Sequence, residues 1–212
     1  MKIALIGATG YIGSRLLDEA ASRGHDVKAL VSRPENVTPK AGVQAVRVDV
    51  QDRDALAAQL AGLDAVISAF SGHAQPDVHD YYVRGIESIV AATKAAGVPR
   101  LLVVGGAGSL EVAPGVQLVD TPAFPAQWKA TAEGARDALR LLRSEKQLDW
   151  TMLSPAAHIE PGSRTGVFRL GGDGLLTDAA GNSHISLEDY ALAMIDELER
   201  PAHSRARFTA AY

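Results

Sequence analysis

The run Ile3-Ala4-Leu5-Ile6, followed at once by Gly7-Ala8-Thr9-Gly10-Tyr11-Ile12-Gly13, decides the fold. A short apolar run ended by glycine reads as a buried strand, and Tyr11–Arg23 reads as a helix with Leu16, Leu17 and Ala20 on one face and Gly24 as its stop. Glycines placed between such a strand and such a helix have separate jobs. Gly7 makes the tight turn, Gly10 lets backbone approach a pyrophosphate, and Gly13 lets the helix pack closely on the strand. The helix N-terminus then offers free N–H groups and a partial positive charge to phosphate. No Gly-Lys-Ser/Thr follows, which excludes a P-loop nucleoside triphosphatase.

Outward from this loop the pattern repeats. Val27–Val31, Val43–Val48, Ala65–Ala69, Leu101–Val104 and Trp150–Leu153 read as strands. Between them lie helical stretches from Asp52 as N-cap through Leu60, within Pro76–Ala96, and over Ala126–Ser144. The alternation predicts an α/β fold: a Rossmann-type, doubly wound, mainly parallel sheet. Ile3–Ile6 and Leu101–Val104 are apolar on both alternations, as a sheet covered on both faces requires. We read residues 1–212 as one domain, with a core over 1–155 and a small substrate lobe over 156–212 packed on it. That last stretch is broken by Pro161-Gly162, Gly166, Gly171-Gly172 and Gly174. It holds one clear helix, begun by Ser186 with Asp189 as a capping-box-like partner. Residues 105–125 show no periodicity and contain Pro114, Pro122 and Pro125, so they read as a long functional loop.

Composition narrows the class. The 212 residues suit one large domain, and the absence of cysteine excludes a disulfide framework, thiolate metal sites and a cysteine nucleophile. A formal charge of −4 gives no electrostatic reason to expect nucleic acid. No apolar run reaches the ~18 residues of a membrane span, and the N-terminus does not read as a signal peptide. The expectation is therefore a cytoplasmic protein with a small-molecule partner, no nucleic acid and no membrane, as a monomer or a homodimer. His25, His73, His79, His184 and His203 show no ligand spacing with carboxylates, so no metal is expected.

Gly7–Gly13 resembles the extended and atypical branches of the short-chain dehydrogenase/reductase superfamily. Val104-Gly105-Gly106-Ala107-Gly108-Ser109-Leu110, Trp128-Lys129, Ser154-Pro155-Ala156-Ala157-His158-Ile159 and Pro161-Gly162-Ser163-Arg164-Thr165-Gly166 resemble the NADH-flavin reductase group within it. That group is similar to NmrA-like proteins and to the biliverdin-IXβ (flavin) reductases. The resemblance implies a bound dinucleotide touching Gly7, Thr9, Gly10, Tyr11, Ile12 and Gly13. Ser32 and Arg33 end the second strand where an acidic residue would favour NAD. A hydroxyl beside a guanidinium suits a 2′-phosphate, so NADP(H) is expected over NAD(H). Asp49 and Val50 border the adenine in the resembling families; Asp49 reads equally as a loop residue. Ser68, Ala69 and Phe70 lie where the chain passes the ribose and nicotinamide, with Phe70 also readable as packing. Gly105 belongs to the turn below the nicotinamide.

Typical members carry a tyrosine four residues before a lysine. Here Gly24, Asn36, Val90, Pro125 and Leu142 stand four before Lys28, Lys40, Lys94, Lys129 and Lys146, so no such pair exists. Lys129 sits near the expected helix start with Pro125 in the tyrosine slot. This argues against ordinary alcohol dehydrogenation, which needs a strong general acid or base. Hydride transfer to a flavin-like acceptor demands less, because water can supply the proton. Ser109, His158 and Lys129 are the catalytic candidates; for Ser109 and His158 an orienting or a purely structural role stays open. Phe124 and Trp128 are candidates for a substrate wall or for core. The leading expectation is an NADPH-dependent reductase of a planar conjugated acceptor, with flavin as a substrate rather than a prosthetic group. The alternatives are a non-catalytic NADP(H)-sensing regulator of the NmrA type and, behind it, a nucleotide-sugar epimerase or dehydratase.

Overall fold

Apolar side chains on both alternations demand helices on both faces, and the computed structural model, which describes residues 1–73 and 75–212, shows them. In β1 (Lys2–Ile6), Ile3 and Leu5 enter one core layer while Ala4 and Ile6 enter the other, all fully buried. β1 pairs in parallel with β2 (Asp26–Val31) on one side and β4 (Ala65–Ser68) on the other. β3 (Val43–Arg47) pairs with β2; beyond β4 come β5 (Arg100–Val104), β8 (Asp149–Ser154) and β12 (Ala206–Ala211), all parallel. β10 (Arg169–Gly171) closes that side antiparallel to β12. The eight strands run β10-β12-β8-β5-β4-β1-β2-β3, so the winding reverses between β1 and β4. In such sheets the crevice at that reversal, outside the strands' carboxyl ends, is where ligands bind.

Helices α1 (Gly13–Ser22) and α5 (Leu187–Glu199) cover one face, and α2 (Arg53–Leu60), α3 (Val78–Ala95) and α4 (Ala126–Ser144) the other. Their termini follow local chemistry. The Asp52 carboxylate accepts the Ala55 N–H at 3.0 Å, capping α2. The Ser186 hydroxyl accepts the Asp189 N–H at 3.0 Å, capping α5. The reciprocal half of a capping box is not made. The buried Asp189 carboxylate instead accepts the hydroxyls of Thr165 and Tyr212 and the Gly166 N–H. Burial alone would raise its pKa; those three donors outweigh it and hold Asp189 below the usual carboxylate range.

Two expectations need correction. Residues 156–212 do not stand outside the main sheet as a lobe. β12 lies inside it between β8 and β10, with Phe208 fully buried, and α5 packs on α1. The remainder includes a two-stranded parallel ribbon of β9 (His158–Glu160) and β11 (His184–Ser186). The stretch 105–125 is not an irregular loop either. It holds a hairpin of β6 (Glu111–Ala113) and β7 (Val116–Gln117), flanked by single 3₁₀ turns at Ala107–Ser109 and Leu118–Asp120. Among the described residues no helix is long and apolar enough to cross a membrane.

Candidate dinucleotide site

The glycine loop lies at the reversal point. Gly7 has φ +78° and donates its N–H to the Leu30 carbonyl at 3.0 Å, tying the loop to the end of β2. A Cβ on Gly7 would stand 2.5 Å from the Ala69 carbonyl oxygen, so β1 and the chain leaving β4 touch there through backbone alone. A Cβ on Gly13 would stand 2.0 Å from the Gly7 carbonyl oxygen, which is the close helix–strand approach expected of that glycine. Gly10 is exposed and donates to the Gly7 carbonyl at 2.9 Å. Ser14 and Leu16 find carbonyls at Gly10 and Ile12, whereas among the described residues no protein acceptor takes the N–H of Thr9, Tyr11 or Ile12. The first turn of α1 carries no acidic side chain to compete for them. These orphan donors at an open helix N-terminus fit a pyrophosphate. Tyr11 is 58% exposed, and its hydroxyl reaches the Ile159 carbonyl at 3.4 Å, linking the loop to β9.

At the β2 and β3 ends, Ser32 and Arg33 are exposed, and the Arg33 carbonyl accepts the Asn36 N–H at 3.1 Å. A second cation lies beside them. Arg47 ends β3 in register with Val31, and its Nε donates to the Ser32 carbonyl at 3.0 Å. Neither Arg33 nor Arg47 forms an ion pair among the described residues. Arg47 escaped the sequence reading because only strand register brings it next to Ser32. Asp49 is exposed and accepts the Gln51 N–H, an Asx turn; the Val50 side chain is core, and its carbonyl accepts the Ser88 hydroxyl at 2.6 Å.

At the β4, β5 and β8 ends the picture is mixed. Ser68 is buried and accepts the Phe70 N–H at 3.4 Å. The Phe70 side chain turns away from the cleft into α3. It fills the niche at Gly85, where a Cβ would meet it at 2.1 Å, and packs against Tyr81 and Tyr82. Of its two readings, packing is the one seen. The Gly105 N–H donates to the Leu153 carbonyl at 2.8 Å, and Gly106 and Gly108 sit against Ala135 and Ala132 of α4, too close for larger residues. Ser109 does not face the open edge. It is buried, and its hydroxyl accepts from Arg207 of β12. His158 is exposed on β9, paired in register with His184.

The first turn of α4 presents Trp128, 51% exposed, and exposed Lys129. The Trp128 ring lies 6.0 Å from that of His73, whose Nδ1 is 3.5 Å from the Thr131 hydroxyl. Phe124 is half-buried in the turn before α4. The two buried tyrosines are not acids at this edge. Tyr82 and Tyr190 donate to the Val104 and Leu153 carbonyls, and burial raises both phenols well above their ordinary pKa. Among the described residues no group of three or more His, Cys, Asp or Glu side chains could hold a metal ion.

Residues 7–201 match the NAD(P)H-binding family, and the chain belongs to it. With the strand order and loop geometry, this defines an NAD(P)H-dependent oxidoreductase on a Rossmann-type fold. The fold recurs in a structure described as a putative exported protein from Burkholderia pseudomallei, with TM-score 0.91 and 50% identity over 100% of both chains. It recurs in a putative epimerase from Bacteroides thetaiotaomicron, with TM-score 0.93 and 45% identity over 100% of this chain and 96% of that one. It recurs again in a putative NADH-flavin reductase from Streptococcus pneumoniae TIGR4, with TM-score 0.87 and 37% identity over 100% and 99%. The three descriptions diverge while the fold does not, so the reaction has to be argued from the site.

Proposed function

We propose that the protein is an NADPH-dependent reductase that passes hydride to a planar conjugated acceptor of the flavin or quinone kind. The observation that carries this is one edge that joins an intact pyrophosphate loop to an exposed aromatic, Trp128, with no tyrosine–lysine acid beside it. When bound, the reduced nicotinamide supplies the hydride; one proton from water completes the two-electron reduction. The chain's own residues bind and orient. The free N–H groups of Thr9, Tyr11 and Ile12 take the pyrophosphate. Arg33 and Arg47, two guanidiniums at adjacent strand ends with no ion pair among the described residues, take a 2′-phosphate, which favours NADP(H) over NAD(H). Ala69 and Gly105 allow close approach to the ribose and nicotinamide. Trp128, with half-buried Phe124 in the turn before its helix, offers an apolar wall for a flat acceptor, and we assign exposed Lys129 and His158 as the polar groups that meet it.

The test follows NADPH oxidation by loss of its absorbance against a panel of flavins, quinones and azo dyes. Turnover with flat acceptors and none with sugars or simple alcohols is the expected result. Tight NADPH binding without turnover on any acceptor would favour the regulator reading, in which dinucleotide occupancy controls a protein partner.

A further inference from the structure

The guanidinium of Arg207 sits at 2% side-chain exposure beneath the β5 and β8 ends. Its Nε donates to Asp173 Oδ1 at 2.7 Å, and its Nη2 donates to the same oxygen. Its Nη1 lies 3.4 Å from both the Ser109 and the Ser154 hydroxyl oxygens, and its Nη2 reaches the Ser109 and Asp173 carbonyls at 3.5 and 3.4 Å. Asp173, itself 55% exposed, also accepts from Arg143 of α4. Its carbonyl takes the Glu111 N–H at 2.8 Å, fastening the β6–β7 hairpin. One buried cation therefore ties together β12, the end of β8, the turn after β5 and the hairpin.

Taking a guanidinium this far out of water is costly, and an apolar residue of similar size would often stabilise the interior as well. What an apolar residue could not do is donate hydrogen bonds to the groups around it. Both serine hydroxyls accept from Arg207, so each keeps its own hydrogen, and among the described residues no protein acceptor takes either one. Ser154 Oγ stands 3.1 Å from where a Cβ on Gly105 would be. Gly105 itself is partly exposed, so the turn that Arg207 supports from the interior has its own backbone at the open edge.

We infer that Arg207 is a positioning residue for the nicotinamide end of the site. It fixes the turn 105–109 from beneath, through its bonds to the Ser154 and Ser109 hydroxyls and the Ser109 carbonyl, so that the backbone of that turn is held in place to meet an amide or carbonyl group such as the nicotinamide carboxamide. This rests on the reading that a dinucleotide spans the edge, and the test separates the two. Binding of NADPH and of 2′,5′-ADP, which carries only the adenosine half, is measured by calorimetry on the full chain. Wild type is compared with Arg207→Met, Arg207→Lys and the double variant Ser109→Ala/Ser154→Ala. Arg207→Met and the double variant should weaken NADPH by about tenfold, the size of one lost hydrogen bond to a charged or polarised group. They should leave 2′,5′-ADP within about twofold. Arg207→Lys should recover part of the loss. If both ligands weaken in parallel, or NADPH is unaffected, the inference is overturned while the dinucleotide reading stands. If wild type binds neither ligand, both fall. Should Arg207→Met fail to fold, the double serine variant, which keeps the ion pair, decides.

Discussion

Replacing Gly7 by alanine separates what the glycine loop does for folding from what it does for binding. At φ +78° an L-residue costs roughly 1–2 kcal/mol. The new Cβ would also stand 2.5 Å from the Ala69 carbonyl oxygen and 2.8 Å from its carbon. Those are backbone atoms at the β1–β4 reversal and cannot swing aside, so overpacking adds about 1–3 kcal/mol. The sum is about 2–5 kcal/mol, and for a chain of this size each kcal/mol moves the melting temperature by roughly 2–4 °C. Gly7→Ala should therefore melt about 4–20 °C below wild type. Gly97→Ala is the control. Gly97 has φ +70° but nothing within 4 Å of its added Cβ, so it reports strain alone, about 1 kcal/mol. Gly10→Ala should do the reverse. Its nearest neighbour would be the Gly7 oxygen at 3.2 Å, a tight contact relieved by a few tenths of an ångström, and its φ is ordinary, so it should cost much less stability than Gly7→Ala. Its methyl would intrude where backbone must approach the pyrophosphate, costing at least about tenfold in NADPH affinity, or ~1.4 kcal/mol. Thermal unfolding with and without NADPH reads both effects. A Gly7→Ala protein no less stable than Gly97→Ala, or a Gly10→Ala protein that binds NADPH normally, would refute the reasoning.

Arg33→Ala and Arg47→Ala should each weaken NADPH by roughly tenfold, as expected for one charge-assisted phosphate contact, and leave NADH unchanged in a titration against both cofactors. Trp128→Ala should raise the KM for flavin acceptors by about 2–10-fold, the range of an aromatic stacking contact, with NADPH affinity intact. The α3–α4 seam should respond to pH through His79, whose Nδ1 meets Asp80 at 2.7 Å and whose Nε2 meets Asp137 at 3.0 Å. Asp80 first and then Asp137 raise its pKa against the opposing effect of partial burial. A raised folded pKa means the stabilisation is full below the unfolded value of about 6.5 and is lost as pH rises through the folded value. Melting curves of His79→Asn against wild type should converge above neutral pH and separate below it; a constant difference across pH would contradict this.

The fold was legible wherever a local rule operates. Apolar runs of both alternations marked β1 and β5, Asp52 and Ser186 marked helix starts, and the bounds of α4 agree with the sequence pattern residue for residue. β12 was not legible, because Arg-Phe-Thr-Ala-Ala carries one large apolar side chain and offers no alternation to read. It becomes a strand through its neighbours, β8 and β10, which lie far off in sequence. The β6–β7 hairpin did leave a signal that was passed over. Pro114-Gly115 is a turn pair, and Gly115 takes the positive φ of +73° that such a turn uses.

The site divides along the same line. Its pyrophosphate half is local, so each of its glycines could be given a job from spacing alone, and the contacts of Gly7 and Gly13 match those jobs. Its nicotinamide half is assembled from residues that meet only through register. Arg207 lies 98 residues from the Ser109 it contacts and 53 from Ser154, and nothing near it in sequence sets it apart from the other arginines of the tail. Ser109 looked like an edge residue because it follows β5, and Phe70 looked like a cofactor contact because it follows β4. Their side chains were decided by what lay on the far side: a buried guanidinium for one, the open niche at Gly85 for the other. Position after a strand locates a backbone at the ligand edge; it does not decide which way the side chain turns. That explains how relatives sharing this fold closely can carry divergent descriptions. The loop proposed to take the pyrophosphate is written in seven consecutive residues, Gly7–Gly13, while the surface proposed to meet the nicotinamide and the acceptor is spread over β5, α4, β9 and β12 and can change one distant residue at a time.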